Sequence, residues 1–173
     1  MATPMTLKTG AAALLAIGLC RAVGGQTNAA DWPQWRGPNR DGHVVGFVAP
    51  KAWPERLTER WKIDVGSGYA TPLLVGTRLY MFSRQGDNEG MSAIDAASGK
   101  VLWRTSYPAP FTMDNGAAPH GPGPKSTPAY ADGKLFSIGM SGIVTAFDAA
   151  TGKQLWQKPG TGVHPLWTSQ RAA

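Results

Sequence analysis

The sequence predicts an all-β chain built from repeated four-stranded units, and three observations predict it. An eleven-residue pattern is spelled out twice, as Ala93-Ile94-Asp95-Ala96-Ala97-Ser98-Gly99-Lys100-Val101-Leu102-Trp103 and as Ala146-Phe147-Asp148-Ala149-Ala150-Thr151-Gly152-Lys153-Gln154-Leu155-Trp156. Agreement at this many positions in register marks an internal repeat. Short β-rich runs separated by turn residues surround both copies, and helical periodicity is absent after residue 30. The chain also carries 22 Gly and 14 Pro among 173 residues, a content that suits a turn-rich β protein.

Each copy reads as a tight β-hairpin. Asp95 or Asp148, followed by small residues, opens a turn in which the carboxylate can accept a bond from the backbone two residues on. Gly99 and Gly152 stand where the hairpin loop needs a residue at positive φ. Ala93 and Ala146 precede the turn, and Trp103 and Trp156 follow it on the returning strand. A Trp buries about 150–250 Å², far more than a lone hairpin can cover. Something beyond the hairpin must receive it, most simply the next copy of the repeat.

The repeat extends upstream. Thr71-Pro72-Leu73-Leu74-Val75 and Arg78-Leu79-Tyr80-Met81-Phe82 precede the first copy; Thr127-Pro128-Ala129-Tyr130-Ala131 and Lys134-Leu135-Phe136-Ser137-Ile138 precede the second. Units of four strands near a fifty-residue period are the mark of β-propeller blades, and a solenoid of hairpins is the competing architecture. The spacing between the Thr-Pro pairs exceeds that between the tryptophans, and the excess falls in the middle hairpin, where Gly86-Asp87-Asn88-Glu89-Gly90 is longer than Ser141-Gly142. Proline beside the first strand of each unit predicts an edge, because a central strand would lose a ladder bond there. Leu79, Tyr80, Met81 and Phe82 are apolar on both faces, as expected of a sheet covered on both sides. The predicted organisation is a first blade over 67–106 and a second over 126–158.

The pattern with Ala at its first position, Gly at the seventh and Trp at the eleventh resembles the tryptophan-docking motif of pyrroloquinoline-quinone (PQQ) repeat propellers. That superfamily holds quinoprotein alcohol dehydrogenases and outer-membrane assembly factors of the BamB type. The resemblance covers about residues 61–158 and implies that Ala93, Asp95, Gly99, Trp103, Ala146, Asp148, Gly152 and Trp156 form structural locks between blades. It implies a partial propeller of this quinoprotein-like kind, and it constrains function weakly because one fold hosts many sites.

Residues 1–30 read as a secretory signal peptide. Lys8 supplies the positive region, Gly10 to Leu19 is apolar but too short to span a bilayer, and small residues offer cleavage after Gly24 or Ala29. Export to the periplasm or outside is therefore expected. Cys20 follows Leu19, where lipoproteins resemble one another in having Gly, Ala or Ser, so lipidation is disfavoured. No other cysteine occurs, which excludes disulfides and thiol chemistry after cleavage. Residues 31–60, opening on Asp31-Trp32-Pro33-Gln34-Trp35-Arg36-Gly37, are a Pro- and Gly-punctuated lead-in. They read either as a cap over a channel mouth or, preferably, as two tryptophans packed against the blades. Residues 61–66 resemble the last strand of a blade whose first three strands are absent upstream, an orphan strand around Trp61. Residues 159–173 resemble a linker towards a third blade, so the chain is expected to be a fragment.

Charge and site candidates remain. Seventeen Lys and Arg face eleven Asp and Glu, a net +6, and removal of Lys8 and Arg21 leaves fifteen against eleven. The basic residues are scattered without an aromatic-interleaved run, which argues against nucleic acid. Residues 107–125 form a long Pro- and Gly-rich insertion in which Asp114, Asn115, His120 and Lys125 are candidate ligand contacts, against a solvated surface loop as the plainer reading. His43, His120 and His164 are isolated, and no Ser-His-Asp order, metal-ligand spacing or phosphate-binding glycine loop occurs. These readings predict a non-enzymatic binding or assembly module with no catalytic, metal or cofactor residues. Its ligand would be a protein, a small molecule or a polysaccharide, and self-association through exposed blade faces is a further expectation. The alternative is part of a PQQ-dependent dehydrogenase. The resemblance would then require PQQ with calcium, an Asp base and an adjacent cysteine pair, and the pair is missing here.

Overall fold

The computed structural model describes residues 31–112 and 115–160 of the chain. The signal segment with Cys20, Asp114, and residues 161–173 with His164 lie outside the described residues. Eight strands form two four-stranded antiparallel sheets, each ordered as the chain runs. The first holds β1 (Leu73–Val75), β2 (Arg78–Gln85), β3 (Asn88–Asp95) and β4 (Val101–Pro108). The second holds β5 (Ala129–Ala131), β6 (Lys134–Ile138), β7 (Val144–Asp148) and β8 (Gln154–Lys158). A short 3₁₀ turn, Asn115–His120, lies in the connection between them. The two sheets are consecutive blades of a partial β-propeller.

Register explains which residues meet. Leu73, Tyr80, Ala93 and Trp103 stand opposite one another across the first sheet and share one face. Phe82, Met91 and Thr105 form the next row on that face, and Arg84, Glu89 and Tyr107 the third. Across from them the second sheet presents Tyr130, Leu135 and Phe147 in one row and Ser137 and Thr145 in the next. One hydrophobic cluster joins both sheets, with Leu73, Phe82, Met91, Ala93, Leu135 and Phe147 fully buried. Tyr80 stacks with Tyr130 at 6.3 Å between ring centres, and Tyr107 with Phe147 at 6.5 Å.

Three details depart from or refine the sequence reading. Pro72 and Pro128 do precede the edge strands β1 and β5. The β1 edge is nevertheless covered, because Trp32 exchanges two backbone bonds with Leu74 (2.6 and 3.2 Å). The longer middle hairpin of the first unit is not a longer loop. Asn88, Glu89 and Gly90 are ladder residues, so β2 and β3 pair over eight residues against five for β6 and β7. The orphan strand expected at 61–66 pairs with neither sheet, since a strand needs a ladder partner and none reaches it. Its continuation makes one bridge, Ser67 to Arg84.

Candidate functional site

The structure concentrates its long-range polar chemistry in the seam between the two blades, at both ends of the sheets. At the end bearing the β3–β4 and β7–β8 turns, Trp103 lies against Gly152, where an added Cβ would collide with the ring. Gly152 has φ +74 and Gly99 φ +73, so each turn needs glycine for conformation as well as for space. The Trp103 Nε1–H donates to Ala149 O at 3.3 Å, the Tyr80 hydroxyl donates to the same carbonyl at 3.1 Å, and Thr105 Oγ1–H donates to Gly152 O at 2.7 Å. Trp61 repeats the arrangement one unit earlier, 2.6 Å from a Cβ built at Gly99 and donating to Ala96 O at 3.1 Å. Trp156 meets no such turn among the described residues; it is 42% exposed and tilts against Phe136 at 6.1 Å.

Asp95 and Asp148 build the turns themselves. Asp95 Oδ1 accepts from Ser98 N and Ser98 Oγ–H (2.8 and 2.6 Å), and Asp148 Oδ1 from Thr151 N and Thr151 Oγ1–H (2.8 and 2.7 Å). These hydroxyl bonds, then the backbone bonds, hold both carboxyls below the usual value of 3.8.

At the opposite end the third row of the first blade reaches over the shorter second blade. Arg84 and Glu89 are buried and paired, Nη2 to Oε1 at 3.1 Å. Glu89 Oε1 also accepts from Met140 N at 3.0 Å, so the carboxylate crosses the seam. Gly139 makes this possible, because a Cβ there would overlap Glu89 Oε2. Arg84 Nη2 further donates to Ala109 O at 2.7 Å, and Ala109 N to Asp87 O at 2.9 Å, which anchors the root of the 107–125 insertion. Arg84 Nε, Glu89 Oε2, Tyr107 Oη and Ser137 Oγ are buried without a hydrogen-bond partner. Burial raises the pKa of Tyr107, keeping its phenol neutral.

Of the candidate ligand residues of the insertion, Asn115, His120 and Lys125 fall among the described residues. Lys125 is half-buried, and its ammonium donates to the carbonyls of His120 and Gly121 (3.0 Å for the latter) and sits 4.1 Å over the Tyr69 ring. These contacts tie Lys125 to its own loop, and burial lowers its pKa. Asn115 opens the 3₁₀ turn, and His120 ends it. Sequence reasoning overlooked Arg84 and Glu89, because charged residues beside Gly86-Asp87 look like a solvated turn. The signal available was the three-residue excess in the middle hairpin.

The 173 residues contain one cysteine, and among the described residues no three His, Cys, Asp or Glu side chains converge as cation ligands. No helix among them is long and apolar enough to cross a membrane.

Two repeated four-stranded blades define the class, a PQQ-repeat propeller protein. The family model described as outer membrane protein assembly factor BamB matches residues 40–172, and the chain belongs to that PQQ-repeat family. Among curated proteins it is 33% identical over 106 residues to the dehydrogenase subunit of the quinone alcohol dehydrogenase of Acetobacter aceti, covering 58% of this chain. The corresponding subunit of Gluconobacter oxydans (strain 621H) is 31% identical over 103 residues. The chain spans 13% of the length of each. Among solved structures, a europium-containing methanol dehydrogenase is similar with a TM-score of 0.40 and 26% identity, over 54% of this chain and 16% of that one. The quinohemoprotein alcohol dehydrogenase of Comamonas testosteroni is similar with a TM-score of 0.39 and 25% identity, over 54% and 13%.

Proposed function

We propose that this chain supplies two blades of an exported β-propeller that acts as a non-enzymatic binding or assembly scaffold. One observation carries the reading: the charged and polar side chains of the seam serve as fasteners. Arg84 and Glu89 hold two blades and a loop root, Lys125 closes its own loop, and Asp95 and Asp148 shape turns. In this reading Trp103 is the lock of one blade on the next, as Trp61 is for the first blade, and the motif residues are structural. Residues 1–30 direct export and are cleaved, with Cys20 removed. The ligand-binding surface is formed by the lead-in and the insertion, and nucleic acid is not the ligand.

A second reading, part of a PQQ-dependent alcohol dehydrogenase, is favoured by the two curated relatives. Blades beyond this segment would then hold the quinone, calcium and base. Titration of the intact protein purified from its native host with PQQ and calcium tests between them. No co-eluting quinone absorbance and no dye-linked alcohol oxidation are expected. A stoichiometric quinone with alcohol-dependent dye reduction would overturn the scaffold reading.

A further inference from the structure

The lead-in contains a feature whose ligand chemistry neither reading specifies. Asp31 Oδ1 accepts from Gly76 N at 2.8 Å, Trp32 pairs with Leu74 on β1, and Pro33 O accepts from Tyr130 N on β5 at 2.8 Å. The chain is thereby fixed across the inner edges of both blades before it turns back on itself over Gln34–Gly42. That turn is a compact knob. Gly37 N donates to Gln34 O (3.0 Å), Arg40 N to Gly37 O (3.2 Å) and Gly42 N to Arg36 O (2.9 Å), while Gly37 packs on the Trp32 ring. Arg36 and Arg40 both hold left-handed backbones, at φ +61 and +58, a conformation that is strained for a non-glycine residue.

The side chains are held as firmly. Gln34 Nε2 donates to Pro38 O at 3.0 Å, and its Oε1 accepts from Arg40 Nε at 3.1 Å. Arg36 Nη2 donates to Asp41 O at 3.2 Å, and its guanidinium lies 5.5 Å from the centre of Trp35. Trp35 is nevertheless 60% exposed. Among the described residues neither guanidinium is ion-paired. An exposed indole beside the oriented Arg36 guanidinium, with the Arg40 guanidinium held by Gln34 in the same turn, is a recognition surface for a ring that carries a negative charge. Asp41, which accepts from His43 N at 2.9 Å, adds an acceptor for a hydroxyl and repels a phosphodiester backbone.

We propose that the Gln34–Gly42 knob binds acidic sugar residues, with Trp35 stacking on the pyranose ring and Arg36 and Arg40 pairing with its carboxylate. The proposal holds whether the blades form a scaffold or belong to a dehydrogenase, because it concerns residues outside the seam. Ordering of these side chains before binding lowers the entropic cost of capture.

Calorimetric titration of the full chain with tri-galacturonate, its methyl ester and a ten-residue oligothymidylate tests it. Tri-galacturonate should bind, with affinity falling as salt rises, whereas the ester keeps the ring, loses the charge and should bind at least about tenfold more weakly. Trp35→Ala, Arg36→Asn and Arg40→Asn should each lose about tenfold, a change expected of one charge-assisted bond or one stacked ring. Asn tolerates the left-handed backbone, and an unchanged melting temperature confirms that the variants fold. Should an Asn variant melt early, Arg40→Lys keeps the charge, loses the fork and should give an intermediate loss. Equal binding of acid and ester, full affinity in Trp35→Ala, no binding of tri-galacturonate, or tighter binding of the oligothymidylate through the same arginines would each overturn the proposal.

Discussion

The two units carry the same turn and differ in what lies against it. In the first, Trp103 is half-buried on Gly152 and shares the Ala149 carbonyl with Tyr80. In the second, Trp156 follows the same turn and occupies the same register opposite Ala146, yet stands 42% exposed beside Phe136, which lacks the hydroxyl of Tyr80. The second difference is at the other end of the sheets. The first unit has a third row, Arg84, Glu89 and Tyr107, that the shorter β6–β7 hairpin does not repeat. The comparison teaches that a repeated motif supplies the means of stacking, while the unrepeated residues decide how one particular seam closes.

The largest effect should come from breaking the unrepeated row. Glu89→Ala leaves the Arg84 guanidinium buried without its partner and removes the acceptor of Met140 N, so a loss of about 3–5 kcal/mol in urea unfolding is expected. Gly139→Ala should also destabilise, because its Cβ must displace the same carboxylate. A loss below about 1 kcal/mol in Glu89→Ala would mean that the pair is not buried in solution.

The tryptophans give the next contrast. Trp103→Ala should cost about 2–4 kcal/mol through lost packing and the lost Ala149 bond. Trp156→Ala should cost about 1 kcal/mol or less, since its indole already faces solvent. Equal losses would show that Trp156 is covered in solution, and dilution-dependent melting would then identify self-association as the cover. Tyr80→Phe isolates one donor to the shared carbonyl and should cost about 1 kcal/mol, measured by the same unfolding curves.

Much of this was legible in the residues. The eleven-residue repeat, the Thr-Pro pairs and the period near fifty lead to two four-stranded sheets, and the glycine turns have the positive φ that their position demands. The seam chemistry was not legible. Glu89 follows a Gly-Asp turn, and nothing local says that a carboxylate there will be fully buried and bonded to Met140, far along the chain in the next blade. Lys125 looked available for the opposite reason, since its partners are backbone carbonyls that carry no side-chain signature. The lead-in was readable in kind and not in detail. Trp32 packs as expected, but Trp35 does not, because left-handed backbones at Arg36 and Arg40 turn the chain outward again.

The smallest effect concerns what the two units have in common. Asp95 and Asp148 accept equivalent bonds from Ser98 and Thr151, and both carboxyls are held below 3.8. A lowered folded-state pKa means that the ionised turn contributes stability above the unfolded value, and that this contribution fades as pH falls from there through the lower folded value. Both turns should therefore loosen together below about pH 4, without a matching change at neutral pH. Carboxyl-carbon NMR titration can follow each residue. Ser98→Ala should raise the Asp95 midpoint and leave Asp148 unchanged, and Thr151→Ala should do the reverse. Movement of both midpoints in either variant would show that the turns communicate through the seam, with Trp103, which lies on the Gly152 turn and follows the Gly99 turn on β4, as the physical link.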